Sequence, residues 1–141
     1  MQPIHVHLIF IIGKKKISIA TDIGHITEDI LNKLNKSNFV LLEANYDTNI
    51  LKCSPYPYNL KQRISGPYGH LSNDASGKTI SYLSKFGLNN VMLGHLSKEN
   101  NFPELAYKTV VEKLIDENIN ENNIRVSIAN RSCPTSIIEA S

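Results

Sequence analysis

Tryptophan is absent from the 141 residues and cysteine is scarce, with Cys53 and Cys133 far apart and no CxxC pair. That excludes a disulfide framework and a cysteine-rich metal knuckle, and makes reduced thiols in a cytoplasmic protein the expectation. Net charge is also small. Fifteen Lys and Arg against 13 Asp and Glu give only +2, too little to hold nucleic acid by bulk electrostatics, so any phosphate binding must be local. Long apolar runs are missing: Leu8–Ile12 is bounded by Gly13 and followed by Lys14, Lys15 and Lys16. This pattern reads as neither a signal peptide nor a membrane span. No GxSxG, P-loop or GxGxxG fingerprint occurs, which removes the commonest nucleophile elbow and phosphate loops.

What is present is an alternation of two hydrophobic periods in a chain that is 41% hydrophobic, enough for an ordinary folded core. Short β-branched or apolar runs at 17–21, 39–42, 90–94 and 124–129 read as strands, and 4–12 as a longer first strand. Thr27, followed by Glu28 and Asp29, predicts a helix N-cap before Ile30, Leu31 and Leu34. Asn73 and Asp74 open a second predicted helix, with Ala75, Thr79, Tyr82, Leu83 and Phe86 on one face and Gly87 near its end. Pro103 opens a third, with Ala106, Val110 and Leu114 four apart. The order predicts a single α/β layered domain spanning 1–141, with an irregular stretch from about Tyr46 to Asn73.

Ligands in open α/β sheets gather outside the carboxyl ends of the strands. Three predicted strands finish there on a titratable residue: Asp22, Glu43 and His95. His70 precedes a helix whose first N–H groups are unpaired. Asp, Glu and two His on one rim are the tools of a metal-assisted hydrolase. Taken singly each has a plainer explanation: an Asx turn at Asp22, a solvated strand end at Glu43, loop histidines at His70 and His95. Only the joint pattern favours chemistry. His5 and His7 share a strand face without a nearby acid, and the Tyr56, Tyr58, Lys61 and Arg63 stretch mixes aromatic and basic residues as a nucleic-acid loop would, although packing of a proline-stiffened loop is the commoner explanation.

The ordered blocks Thr21-Asp22-Ile23-Gly24, Glu43-Ala44-Asn45-Tyr46-Asp47, Gly69-His70-Leu71-Ser72-Asn73 and Gly94-His95-Leu96-Ser97 resemble the metallo-β-lactamase-fold metallohydrolases, in the YycJ/WalJ-like branch related to tRNase Z and RNase J. The resemblance implies an αββα sandwich of which this chain matches the C-terminal half, a mixed sheet with helices on one face. It implies a phosphodiesterase or nuclease using two divalent ions, zinc or manganese. By position, Asp22 matches the metal-bridging carboxylate and His95 the last histidine ligand. His70 matches the histidine that protonates the leaving oxygen, with Glu43 as its carboxylate partner, and Ser72 and Asn73 adjoin the substrate phosphate. Tyr46 stands where the family has a histidine, which weakens any role for Asp47.

The family's N-terminal HxHxDH motif is not among these residues, and His5-Val6-His7-Leu8-Ile9-Phe10 cannot replace it. Asp22 and His95 alone cannot complete a site in which each ion takes several protein ligands. The expectation is therefore an inactive isolated chain that needs the missing N-terminal half or a homodimer partner, acts on nucleic acid or another phosphodiester when complete, and has no membrane association. Two further readings stand beside it: a non-catalytic binding or scaffold domain that kept the fold, and a small nucleotide-binding α/β domain, whose glycine-rich loop is absent.

Overall fold

A computed structural model of the chain describes residues 6–140. Five strands form one sheet in sequential order: β1 (Val6–Ile12), β2 (Lys15–Thr21), β3 (Phe39–Glu43), β4 (Asn90–Gly94) and β5 (Arg125–Ile128). β1 and β2 make an antiparallel hairpin turning at Gly13, whose φ of +61° suits a residue without a side chain. β2, β3, β4 and β5 are mutually parallel. Parallel strands need crossover helices, and crossovers of one hand between sequential strands fall on one face of the sheet.

The helices are α1 (Glu28–Leu34), α2 (Thr48–Cys53), α3 (Tyr58–Ser65), α4 (Asn73–Ser84) and α5 (Pro103–Asp116). Thr27 caps α1 by accepting from the Ile30 N–H, and Pro103 occupies the first turn of α5, whose Ala106, Val110 and Leu114 are buried. The stretch read as irregular holds α2 and α3. Both are short, of six and eight residues, and between them they bury only Leu51, too little burial for either helix to be read from a core-facing stripe. Two details of α4 also differ from expectation. Its cap is Ser72, which accepts from Ala75 N–H, while Tyr82 and Phe86 pair on the exposed side and Ser76, Ile80 and Leu83 face the core.

Register places Ala20, Leu42 and Leu93 on one sheet face, with Ser18, Val40 and Val91 alongside, all of them fully buried. They pack with Ile30, Leu34, Ile80, Leu83, Val110 and Leu114 into one core. The opposite face carries Leu8, Phe10, Ile17, Ile19, Phe39, Leu41 and Met92. Only Met92 of these is buried, at 6% exposure, whereas Leu8 and Phe10 are each 49% exposed. An apolar face this open is the kind of surface that another layer of protein covers in a layered fold.

Candidate metal centre

Three parallel strands end side by side, and each hands its last side chain to one rim. Asp22 follows β2, Glu43 closes β3 and His95 follows β4, while His70 arrives from the loop before α4. The ligand atoms of these four residues all lie within 4.8 Å of one another. The pattern read from the sequence thus converges in space.

Glu43 is the hub. Its side chain is fully buried, and Oε1 accepts from Nδ1 of His70 and from Nδ1 of His95, each at 2.7 Å. Oε2 accepts from the Ile23 N–H at 3.0 Å and, more weakly, from Leu71 N–H at 3.5 Å. Burial alone would push this carboxyl up. The two imidazoles and the Ile23 N–H outweigh burial and hold it below its ordinary value. Facing a carboxylate, each Nδ1 carries its proton, which leaves Nε2 of each ring as the nitrogen that can ligate a cation or move a proton.

Asp22 Oδ1 lies 3.8 Å from His70 Nδ1 and 3.7 Å from His95 Nδ1. Its side chain is 45% exposed and that of His95 44%, so both open to solvent above the buried Glu43. Asp22 and His95 also share a left-handed backbone, with φ of 57° and 54°. Such angles cost about 1–3 kcal/mol in a non-glycine residue and persist where neighbours fix them. Asn45 does so for His95, donating its side-chain amide to the His95 carbonyl at 2.7 Å while its own carbonyl accepts from Ser97 N–H.

Backbone bonds stitch the loops together: Asn45 N–H donates to Leu71 O and Asn73 N–H to Tyr46 O, each at 2.9 Å. Gly24 and Gly69 permit the closest approaches. A Cβ on Gly24 would lie 2.0 Å from Pro67 O, and one on Gly69 2.1 Å from Ile64 O. Asn101 pairs reciprocally with Asn73 and donates to Ala44 O, a brace from the segment before α5 that sequence reasoning did not find. Its only signal was a buried amide in a loop.

Asn73 is 0% exposed and both its side-chain amide atoms are paired with Asn101. Ser72 Oγ serves as the α4 cap. Asp47 caps α2 through Ile50 N–H, and Tyr46 is buried, its hydroxyl pushed up by burial and by the charges of Glu43 and Asp74. His5 lies outside the described residues, and His7 enters only through its backbone in β1. Cys53 and Cys133 are exposed and unpaired.

Two imidazoles and two carboxylates at this spacing suit a divalent ion that accepts mixed nitrogen and oxygen donors. Without metal, the hydrogen bond to Glu43 raises His95 above its usual value against the opposing effect of burial, and the charges of Glu43 and Asp22 add to it. A raised imidazole contributes stability that is complete below about pH 6.5 and is lost as pH rises through the folded value. The chelated chain should therefore lose urea resistance as pH is raised past about 6.5 and through the folded value. The slope should flatten in His95→Ala; an unchanged slope in that variant contradicts the pairing.

No protein-family model matches the chain. It is 36% identical over 105 residues to the exodeoxyribonuclease WalJ of Streptococcus pneumoniae, a match covering 74% of this chain and 39% of that protein. It is 28% identical over 102 residues to the exodeoxyribonuclease YycJ of Bacillus anthracis, covering 72% of this chain and again 39% of the relative. The chain thus spans about two fifths of the length of the curated relatives it matches. In three dimensions it is similar to the metallo-β-lactamase fold protein YhfI of Bacillus subtilis, with a TM-score of 0.51 and 12% identity, over 92% of this chain and 45% of YhfI. The five-stranded mixed sheet with its carboxylate and histidine rim thus has the metallo-β-lactamase fold seen in YhfI, and most of the chain is similar in sequence to part of WalJ and YycJ.

Proposed function

We propose that the 141 residues form one partial domain of a metal-dependent DNA exonuclease, supplying Asp22 and His95 as metal ligands and His70 as the proton donor. The convergence of four donor side chains within 4.8 Å carries this reading. Zinc or manganese held there would supply Lewis acidity toward a phosphoryl group. Asp22 and His95 would hold the cations from the solvent side. Glu43 fixes the tautomer and orientation of both rings, so that His70 Nε2 faces outward to give its proton to the departing oxygen.

The remaining ligands are proposed to lie in a polypeptide outside these residues, seated on the open apolar face of the sheet. A second copy of the chain could cover the same face but would bring no HxHxDH set. Cytoplasmic residence fits the two exposed, unpaired thiols. Among the described residues no helix is long and apolar enough to cross a membrane.

Joining the chain to the portion of Streptococcus pneumoniae WalJ that the similarity leaves out should give metal-dependent release of nucleotides from DNA. The chain alone should give none. DNA hydrolysis by the chain alone, abolished by chelator, contradicts the need for a second part. Stoichiometric metal in the joined protein without hydrolysis favours instead a binding or scaffold domain.

A further inference from the structure

The aromatic and basic stretch singled out in the sequence is not consumed by packing. Residues 48–69 contain Lys52, Lys61 and Arg63, with Tyr56, Tyr58 and Tyr68, and no Asp or Glu. A chain whose net charge is only +2 thus concentrates cations without acids in one segment. α3 buries no residue, and Tyr58 and Tyr68 are each 73% exposed. These exposed rings share one segment with the exposed Lys52 and Arg63, a combination that a ligand with both charge and aromatic faces can use.

A cavity of about 370 Å³ lies between this segment and the metal centre, lined by Asp22 and His70 on one side and by Leu60, Arg63, Ile64 and Tyr68 on the other. Its size is that of a small-ligand site. Among the described residues the Arg63 side chain makes no ion pair and no hydrogen bond, so its planar fork of donors is available. The loop that presents Tyr68 is fixed. Gly69 N–H donates to Gly66 O and His70 N–H to Ile64 O, and Pro67 sits hard against Gly24 in the turn after Asp22. Tyr68 therefore keeps its position relative to Asp22 and His70 without needing a ligand to order it.

We propose that this cavity is a nucleotide subsite for single-stranded DNA, in which Arg63 holds the phosphate next to the scissile one and Tyr68 stacks on the adjoining base. The subsite deepens the nuclease reading and rests on it. Arginine binds phosphate with two parallel donors, and an aromatic face accepts any base, so the subsite grips a strand without reading its sequence. The apolar Leu60 and Ile64 give the base edge a dry wall. Phosphate held by Arg63 places the next phosphodiester against Asp22 and His70.

Fluorescence anisotropy with a labelled dT12 oligonucleotide, read on the full chain in chelator and at low salt, tests this. Tyr68→Ala should weaken binding roughly five- to hundredfold while Tyr68→Phe keeps it. Arg63→Ala should reduce the slope of log affinity against log salt by about 0.7, and Arg63→Lys should restore most of that slope. An abasic oligonucleotide of the same length should bind the parent chain more weakly and be indifferent to Tyr68→Ala. Both side chains are outside the core, so circular dichroism should be unchanged. Equal dT12 affinity in the parent and in both alanine variants overturns the subsite, as does no binding by the parent. Metal-dependent DNA hydrolysis by the chain joined to the WalJ portion reports separately on the nuclease reading, so loss of the subsite and loss of that reading give different results.

Discussion

Replacing Glu43 by Gln is expected to weaken divalent-ion binding by about 10–100-fold and to cost the fold about 1–3 kcal/mol. Both effects have one origin. Oε1 accepts from two imidazole N–H groups and Oε2 from Ile23 N–H and, more weakly, Leu71 N–H, so four donors depend on this carboxylate. Glutamine offers one acceptor oxygen, and its NH₂ would face donors on the other side. At least one buried N–H then loses its partner, and one or both rings lose their preferred orientation. Glu43→Ala removes every acceptor and should be worse on both counts. Competition for zinc against a chromophoric chelator reads the first effect and urea denaturation the second. Wild-type values in Glu43→Gln would show that the two histidines are placed by something other than Glu43.

The second large effect separates ligands from proton donor. In the joined nuclease, Asp22→Asn and His95→Ala should each lose metal and lower turnover by more than about 100-fold, beyond the usual cost of losing an outer hydrogen-bond partner. His70→Ala should instead keep its metal and lose about 10²–10⁴-fold in kcat with little change in KM, the signature of a missing general acid. Plasma mass spectrometry on the same preparations assigns each variant to one class. Retention of full metal content by both Asp22→Asn and His95→Ala would move the cation elsewhere.

The rim was legible in the sequence because strand periodicity ends abruptly at Asp22, Glu43 and His95, and because parallel strands in sequential order bring their carboxyl ends to one edge. The sharing of Glu43 by both histidines was not legible. It depends on His95 taking a left-handed backbone, and nothing in Gly94-His95-Leu96 signals that angle. α2 and α3 were hidden for a related reason: short, exposed helices need no apolar stripe, and their stability comes from Asp47 as a cap and from neighbouring loops. The inward packing of Asn73 against Asn101 was not legible either, because it depends on a loop 28 residues further along the chain. The apolar character of the open sheet face follows from the alternation of Ile17, Ile19, Phe39 and Leu41 with the buried set.

Anomalous diffraction at the zinc absorption edge, from zinc-soaked crystals of the chain joined to the WalJ portion proposed to supply the remaining ligands, examines the candidate metal centre most directly. A peak about 2.0–2.2 Å from an Asp22 carboxylate oxygen and a His95 ring nitrogen is the expected result. Well-ordered zinc bound only at other positions, with Asp22 and His95 bare, would contradict it.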